Sequence, residues 1–111
     1  MMDKLRMVEN ELVPVYITST GEKVVYGTGL HKVLQVKSNY TTWIERRFND
    51  IDAIENEDYE TCFPKLESGI HGGQNKKDHI IKLDTAKEMA MLERNEKGKE
   101  VRRYFIQVEK K

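Results

Sequence analysis

The sequence predicts an α+β domain: a small, mostly antiparallel sheet packed against about four helices, with a helix-turn-helix-like segment in its first half. Three observations lead there. Short runs rich in β-branched and aromatic residues, at 12–18, 23–26, 59–63 and 78–83, are bounded by turn-forming or charged residues. Between and after them, four stretches carry apolar residues at helical spacing. No sequence repeats and no low-complexity tract interrupts the order.

In chain order, residues 1–11 read as a flexible N-terminal segment in which Leu5 and Val8 could anchor a short turn of helix, and residues 12–111 as the domain. Val13, Val15 and Ile17 alternate with Pro14, Tyr16 and Thr18, the pattern of a half-buried strand. Pro14, which cannot donate to a ladder, places that strand at an edge. Ser19-Thr20-Gly21-Glu22 is a turn, and Lys23 to Tyr26 returns as the second strand of a hairpin. Leu30, Val33 and Leu34 then mark a helix of about nine residues closing near Val36. After a break at Lys37-Ser38-Asn39, the residues Tyr40, Trp43, Ile44, Phe48 and Ile51 mark one face of a second helix. Helix, short break, helix over 28–51 is the outline of a helix-turn-helix.

Six acidic side chains follow within 50–60, and their spacing fits no EF-hand loop, so they read as a solvated connection. Tyr59 to Phe63 is the third strand and Asp78 to Leu83 the fourth, joined by a long polar loop containing Gly69, His71, Gly72 and Gly73. A helix from about Asp84, an N-cap type, to Arg94 carries a narrow stripe of Ala86, Met89 and Ala90. A turn at Asn95-Glu96-Lys97-Gly98 leads to a final helix from about Lys99 to Val108. Val101, Tyr104, Phe105 and Val108 line one face of it, at i, i+3, i+4 and i+7. That face requires a cover, either the domain's own sheet or another copy of the chain, so a homodimer is open at this stage.

At 111 residues the chain suits one domain able to hold a core without metal or disulfides. The single cysteine, Cys62, has no intramolecular partner and reads as a small strand residue in a reducing compartment. No apolar run reaches the roughly 20 residues needed to span a bilayer, and the start lacks a signal-peptide core; a cytoplasmic location is expected. Formal net charge is zero. It is nonetheless uneven: residues 1–75 carry 8 Lys+Arg against 12 Asp+Glu, and residues 76–111 carry 11 against 7. A basic surface near the C-terminus is therefore permitted.

No constellation of catalytic residues stands out. His31 sits near a helix start and suits a capping or core-edge role, His79 lies in a strand, and His71 has no partner nearby in sequence. The glycines at 69, 72 and 73 match neither a Walker loop nor a dinucleotide fingerprint. Neither an enzyme, a cofactor nor a metal is expected. The residues best suited to a partner are basic: Arg46 and Arg47 on the second helix, Lys76 and Lys77 at the base of the long loop, and Lys99, Arg102 and Arg103 on the last helix.

The run from Leu83 to Lys99, LDTAKEMAMLERNEKGK, followed by Arg103-Tyr104-Phe105-Ile106 and Val108-Glu109, resembles the signature of the AntA/AntB phage antirepressor domain. Leu30-His31, Leu34, Val36-Lys37, Tyr40 and Trp43 are similar to the pattern of that domain's first half; in the strand at 78–83, His79 stands where the family commonly has tyrosine. The family is itself similar to the Bro-N and KilA-N domains, and its members commonly carry a further C-terminal domain. The resemblance implies a phage or prophage domain that relieves lysogenic repression by binding a phage repressor in the cytoplasm of the bacterial host. The alternative it leaves is a sequence-specific regulator of the KilA-N/Bro-N type, binding double-stranded DNA through segment 28–51.

Overall fold

The computed structural model describes residues 5–64 and 77–111. Five strands and four helices follow in the order β1 (Arg6–Glu9), β2 (Val15–Ile17), β3 (Lys23–Tyr26), α1 (Gly27–Leu34), α2 (Tyr40–Asp50), β4 (Tyr59–Cys62), β5 (Asp78–Lys82), α3 (Leu83–Leu92) and α4 (Glu96–Glu109). The strands form one antiparallel sheet in the order β1-β2-β3-β5-β4. An α+β architecture with four helices is what the periodicities predict.

Two strands run into helices without a linker, and this fixes the layout. Tyr26 ends β3 and serves as N-cap of α1, while Lys82 ends β5 and serves as N-cap of α3. Because β3 and β5 pair antiparallel, with Tyr26 opposite Ile80 and Val24 opposite Lys82, the two helices leave from opposite ends of the same central pair. One core joins Val15, Val25 and Ile81 of the sheet to Leu30, Trp43, Met89, Val101 and Phe105 of the helices. The small residues Ala86 and Ala90 are fully buried on α3 and allow the close packing of α3 against α4. Lys87 of α3 donates to both carboxylate oxygens of Glu109 at the end of α4, at 3.0 and 2.8 Å. Among the described residues no helix is long and apolar enough to cross a membrane.

Several local expectations change. Residues 6–9, expected to be part of a flexible segment or a turn of helix, form the edge strand β1 instead. Backbone pairing to β2 holds them, and their side chains are largely exposed, which is why apolar patterning does not reveal the strand. β1 also displaces β2 from the edge; Pro14 lies just before β2 and so removes no ladder donor. α1 ends at Leu34 because Gln35 adopts the left-handed conformation, φ 57°. Asp84 lies in the first turn of α3 rather than capping it. Asn95 caps α4, its side-chain oxygen accepting from Gly98 N at 2.8 Å, so the helix begins three residues earlier than the turn chemistry suggests. The apolar face of α4 is covered within the chain: Val101 and Phe105 are fully buried, Val108 and Tyr104 nearly so, and Tyr104 donates to the Val13 carbonyl at 2.8 Å. A second copy is not needed to cover it.

Candidate functional site

The α1–α2 pair is where a helix-turn-helix reading would place DNA contacts. The break between the helices is held by Asn39, whose side chain accepts from Thr42 N at 2.9 Å, and by His31, whose Nε2 meets the Ser38 carbonyl at 2.8 Å. The His31 ring also packs against Tyr40 and Trp43. His31 therefore does the structural work of joining two helices. Inward, α2 buries Trp43, Ile44 and Phe48. Outward, it presents Thr41, Thr42, Glu45, Arg46, Asn49 and Asp50.

Arg47 belongs to neither face. Its Nε donates to Glu93 Oε2 at 2.7 Å, NH2 lies 2.6 Å from the same oxygen, and NH1 lies 2.9 Å from Asp50 Oδ2. Trp43 Nε1 donates to that Glu93 oxygen as well, at 2.9 Å. With side chains only 15 % and 12 % exposed, Arg47 and Glu93 tie α2 to the end of α3. Arg46 remains exposed, with Ser38 Oγ at 3.5 Å.

Glu93 leads into the α3–α4 corner. The first turn of α4 passes so close to the Glu93 carbonyl that any side chain at Gly98 would collide with it. Packed this tightly, the corner leaves a groove of about 520 Å³ on its outer side, lined by Met91, Arg94, Glu96, Lys99 and Arg102 among others. Met91 is 53 % exposed and its neighbour Leu92 37 %. Arg102 Nε is the one buried side-chain nitrogen or oxygen among the described residues without a hydrogen-bond partner.

The basic residues singled out in the sequence are thus dispersed. Lys99 and Arg102 share the corner groove. Arg103 faces a separate cleft with Glu11, Leu12, Glu100 and Tyr104. Lys77 lies in another cleft, with Tyr40, Tyr59 and His79, and Lys76 falls outside the described residues, as does His71. Sequence reading passed over Arg94, Met91, Leu92 and Glu93. A signal was present for two of them: Met91 and Leu92 are apolar yet fall off the Ala86, Met89, Ala90 stripe.

A second polar cluster sits at the start of β5. The buried Asp78 carboxylate accepts from Thr28 N at 3.1 Å, Thr28 Oγ1 at 2.6 Å and His79 N at 2.7 Å, and from Tyr40 OH at 3.3 Å. It supplies the N-terminal cap that Tyr26 cannot give α1. Tyr40 OH also meets His79 Nδ1 at 2.6 Å. Burial, aided by Lys77, holds the His79 imidazole below its ordinary pKa, and burial raises that of the Tyr40 phenol. Cys62 pairs with Asp78 in the ladder, and burial, with Asp78 and Glu60 nearby, pushes its thiol up to about 11. At neutral pH such a thiol is protonated and a poor nucleophile. The cluster secures α1 to the sheet, and among the described residues no group of three His, Cys, Asp or Glu is placed to hold a metal.

No curated protein and no solved structure matches this chain. A family model described as AntA/AntB antirepressor matches residues 25–95, a span that runs from the end of β3 to the N-cap of α4 and takes in the Asp78 cluster, the Arg47–Glu93 tie and the α3 side of the corner, while α4 lies beyond it. With well over half its length matched, the chain belongs to the AntA/AntB antirepressor family, and its function is of the phage antirepressor type.

Proposed function

We propose that the domain relieves lysogenic repression by protein contact: it binds a phage repressor in the host cytoplasm and stabilises a form of it that cannot hold operator DNA. Binding of that kind shifts the repressor's equilibrium by the difference in affinity between its two forms. On this reading the chain performs no catalytic step.

The observation that carries the proposal is the charge of α2. A helix that enters the major groove must neutralise phosphates and reach base edges with arginine, lysine or amide side chains. Here Arg47 is consumed by Glu93 and Asp50, and the outward face sets Arg46 against Glu45. Five acidic residues, Asp52, Glu55, Glu57, Asp58 and Glu60, follow directly after it. A surface so balanced repels a polyanion at least as much as it attracts one, whereas it is ordinary for a protein–protein contact. Direct operator binding with α2 as the reading helix is therefore the weaker reading.

The test is fluorescence anisotropy of a labelled operator held by its repressor, the repressor being the one encoded beside this chain. Addition of the domain is expected to lower the anisotropy to that of free DNA, with no rise when domain and DNA are mixed alone at low salt. A salt-dependent rise with DNA alone, abolished by Arg46→Ala, would reverse the assignment.

A further inference from the structure

The geometry points to the α3–α4 corner groove as a docking site for an acidic, apolar segment of a partner protein, a carboxylate meeting Arg102 while an adjoining apolar side chain covers Met91 and Leu92. This rests on the reading of the domain as a protein binder and names the chemistry of the bound element.

Three independent features agree. The first is charge. Arg94, Lys99 and Arg102 line the groove, and of the two carboxylates there Glu93 is already taken by Arg47 and Trp43, which leaves Glu96 alone against three cations. The second is the Arg102 Nε donor, buried without an acceptor. An unmet buried donor is destabilising, and hydrogen bonds to charged groups are stronger than average. A carboxylate in the groove would let the guanidinium turn and place Nε and a terminal nitrogen on its two oxygens, the planar fork that arginine makes best. The third is exposed apolar surface: Met91 lines the groove and Leu92 follows it, both uncovered at the end of α3. Methionine adapts to varied apolar partners. A nucleic-acid backbone would use the cations but would leave Met91 and Leu92 wet, so a peptide fits better.

Three labelled probes separate the possibilities: a short peptide alternating glutamate and leucine, one alternating glutamate and serine, and random-sequence duplex DNA. Anisotropy is expected to show binding of the glutamate–leucine peptide. Loss of about tenfold or more in affinity is expected in Arg102→Gln, the size of one charge-assisted contact, and a comparable loss in Met91→Asp, which removes the apolar contact and sets a carboxylate against the acidic peptide, with Arg103→Gln unchanged. In the unsubstituted protein, the Arg102 Nε–H resonance should shift on adding that peptide, a readout independent of any variant's folding. Equal binding by Arg102→Gln, an unmoved Nε–H resonance, equal affinity for the glutamate–serine peptide, or tighter binding of duplex DNA through the same residues would each overturn the inference. The two readings fail separately. Release of operator by Arg102→Gln as effectively as by the parent would remove the groove and leave the antirepressor mechanism standing. Peptide binding without repressor binding would do the reverse.

Discussion

Replacing Glu93 by alanine tests whether Arg47 is a structural residue or a surface one. The Glu93 Oε2 atom accepts from Arg47 Nε at 2.7 Å and Trp43 Nε1 at 2.9 Å, and both side chains of the ion pair are less than a sixth exposed. Breaking a pair of this burial by removing one partner costs about 3–5 kcal/mol. Arg47 keeps Asp50 at 2.9 Å, which favours the low end of the range, about 3 kcal/mol. In a domain of this size about 4 °C accompanies each kcal/mol, so Tm should fall by about 12 °C. Urea unfolding followed by fluorescence is a direct assay, because Trp43 is the chain's single tryptophan and sits at the pair itself. The Trp43 N–H is left unpaired in Glu93→Ala and in the double variant alike, so it cancels in the cycle. Arg47→Ala, Glu93→Ala and the double variant should show a coupling of about 1–2 kcal/mol. Coupling below about 0.5 kcal/mol, with Glu93→Ala near parental stability, would return Arg47 to the surface and reopen α2 as a basic reading helix.

Gly98→Ala should also destabilise, although alanine is the better helix former by about 1 kcal/mol, because the added Cβ drives the start of α4 away from the Glu93 carbonyl; a net loss of about 1–2 kcal/mol is expected in urea, and a gain would show that the corner is looser than described. His79 is held below its ordinary pKa by burial, so the unfolded chain takes up a proton first as pH falls through about 6.5. Stability should be complete above that pH and decline beneath it, and His79→Gln should flatten that part of a Tm-against-pH profile. Cys62, with a thiol pushed up to about 11, should react with Ellman's reagent at pH 7.5 far more slowly than a free cysteine and match it only after unfolding.

What could be read from the residues was whatever depends on local periodicity. β3 and β5 are apolar runs flanked by turn or charged residues, and α4 repeats its apolar residues every three or four positions, so their burial follows from spacing alone. β1 escaped because Arg6-Met7-Val8-Glu9 has no alternation, and its bulge at Val8 breaks what little pattern there is. Asn95 looked like part of a turn because an N-cap and a turn residue are chemically the same thing. The candidate site was less legible. Arg47 and Arg46 are adjacent and alike in sequence, and only the fold brings Glu93 to one of them. Nothing local to Asp78 says that it caps a helix beginning 51 residues earlier, at Gly27. The corner groove depends on Gly98 lying against a carbonyl five residues back, a contact that no charge count reveals.

The central claim, that this domain works on a repressor protein rather than on DNA, is tested most directly by the mass of what it forms in solution. Size-exclusion chromatography with light scattering on the domain, its neighbouring repressor and operator DNA should give a stable domain–repressor complex from which the DNA is excluded. A complex of the domain with operator DNA alone, and none with repressor, would contradict it.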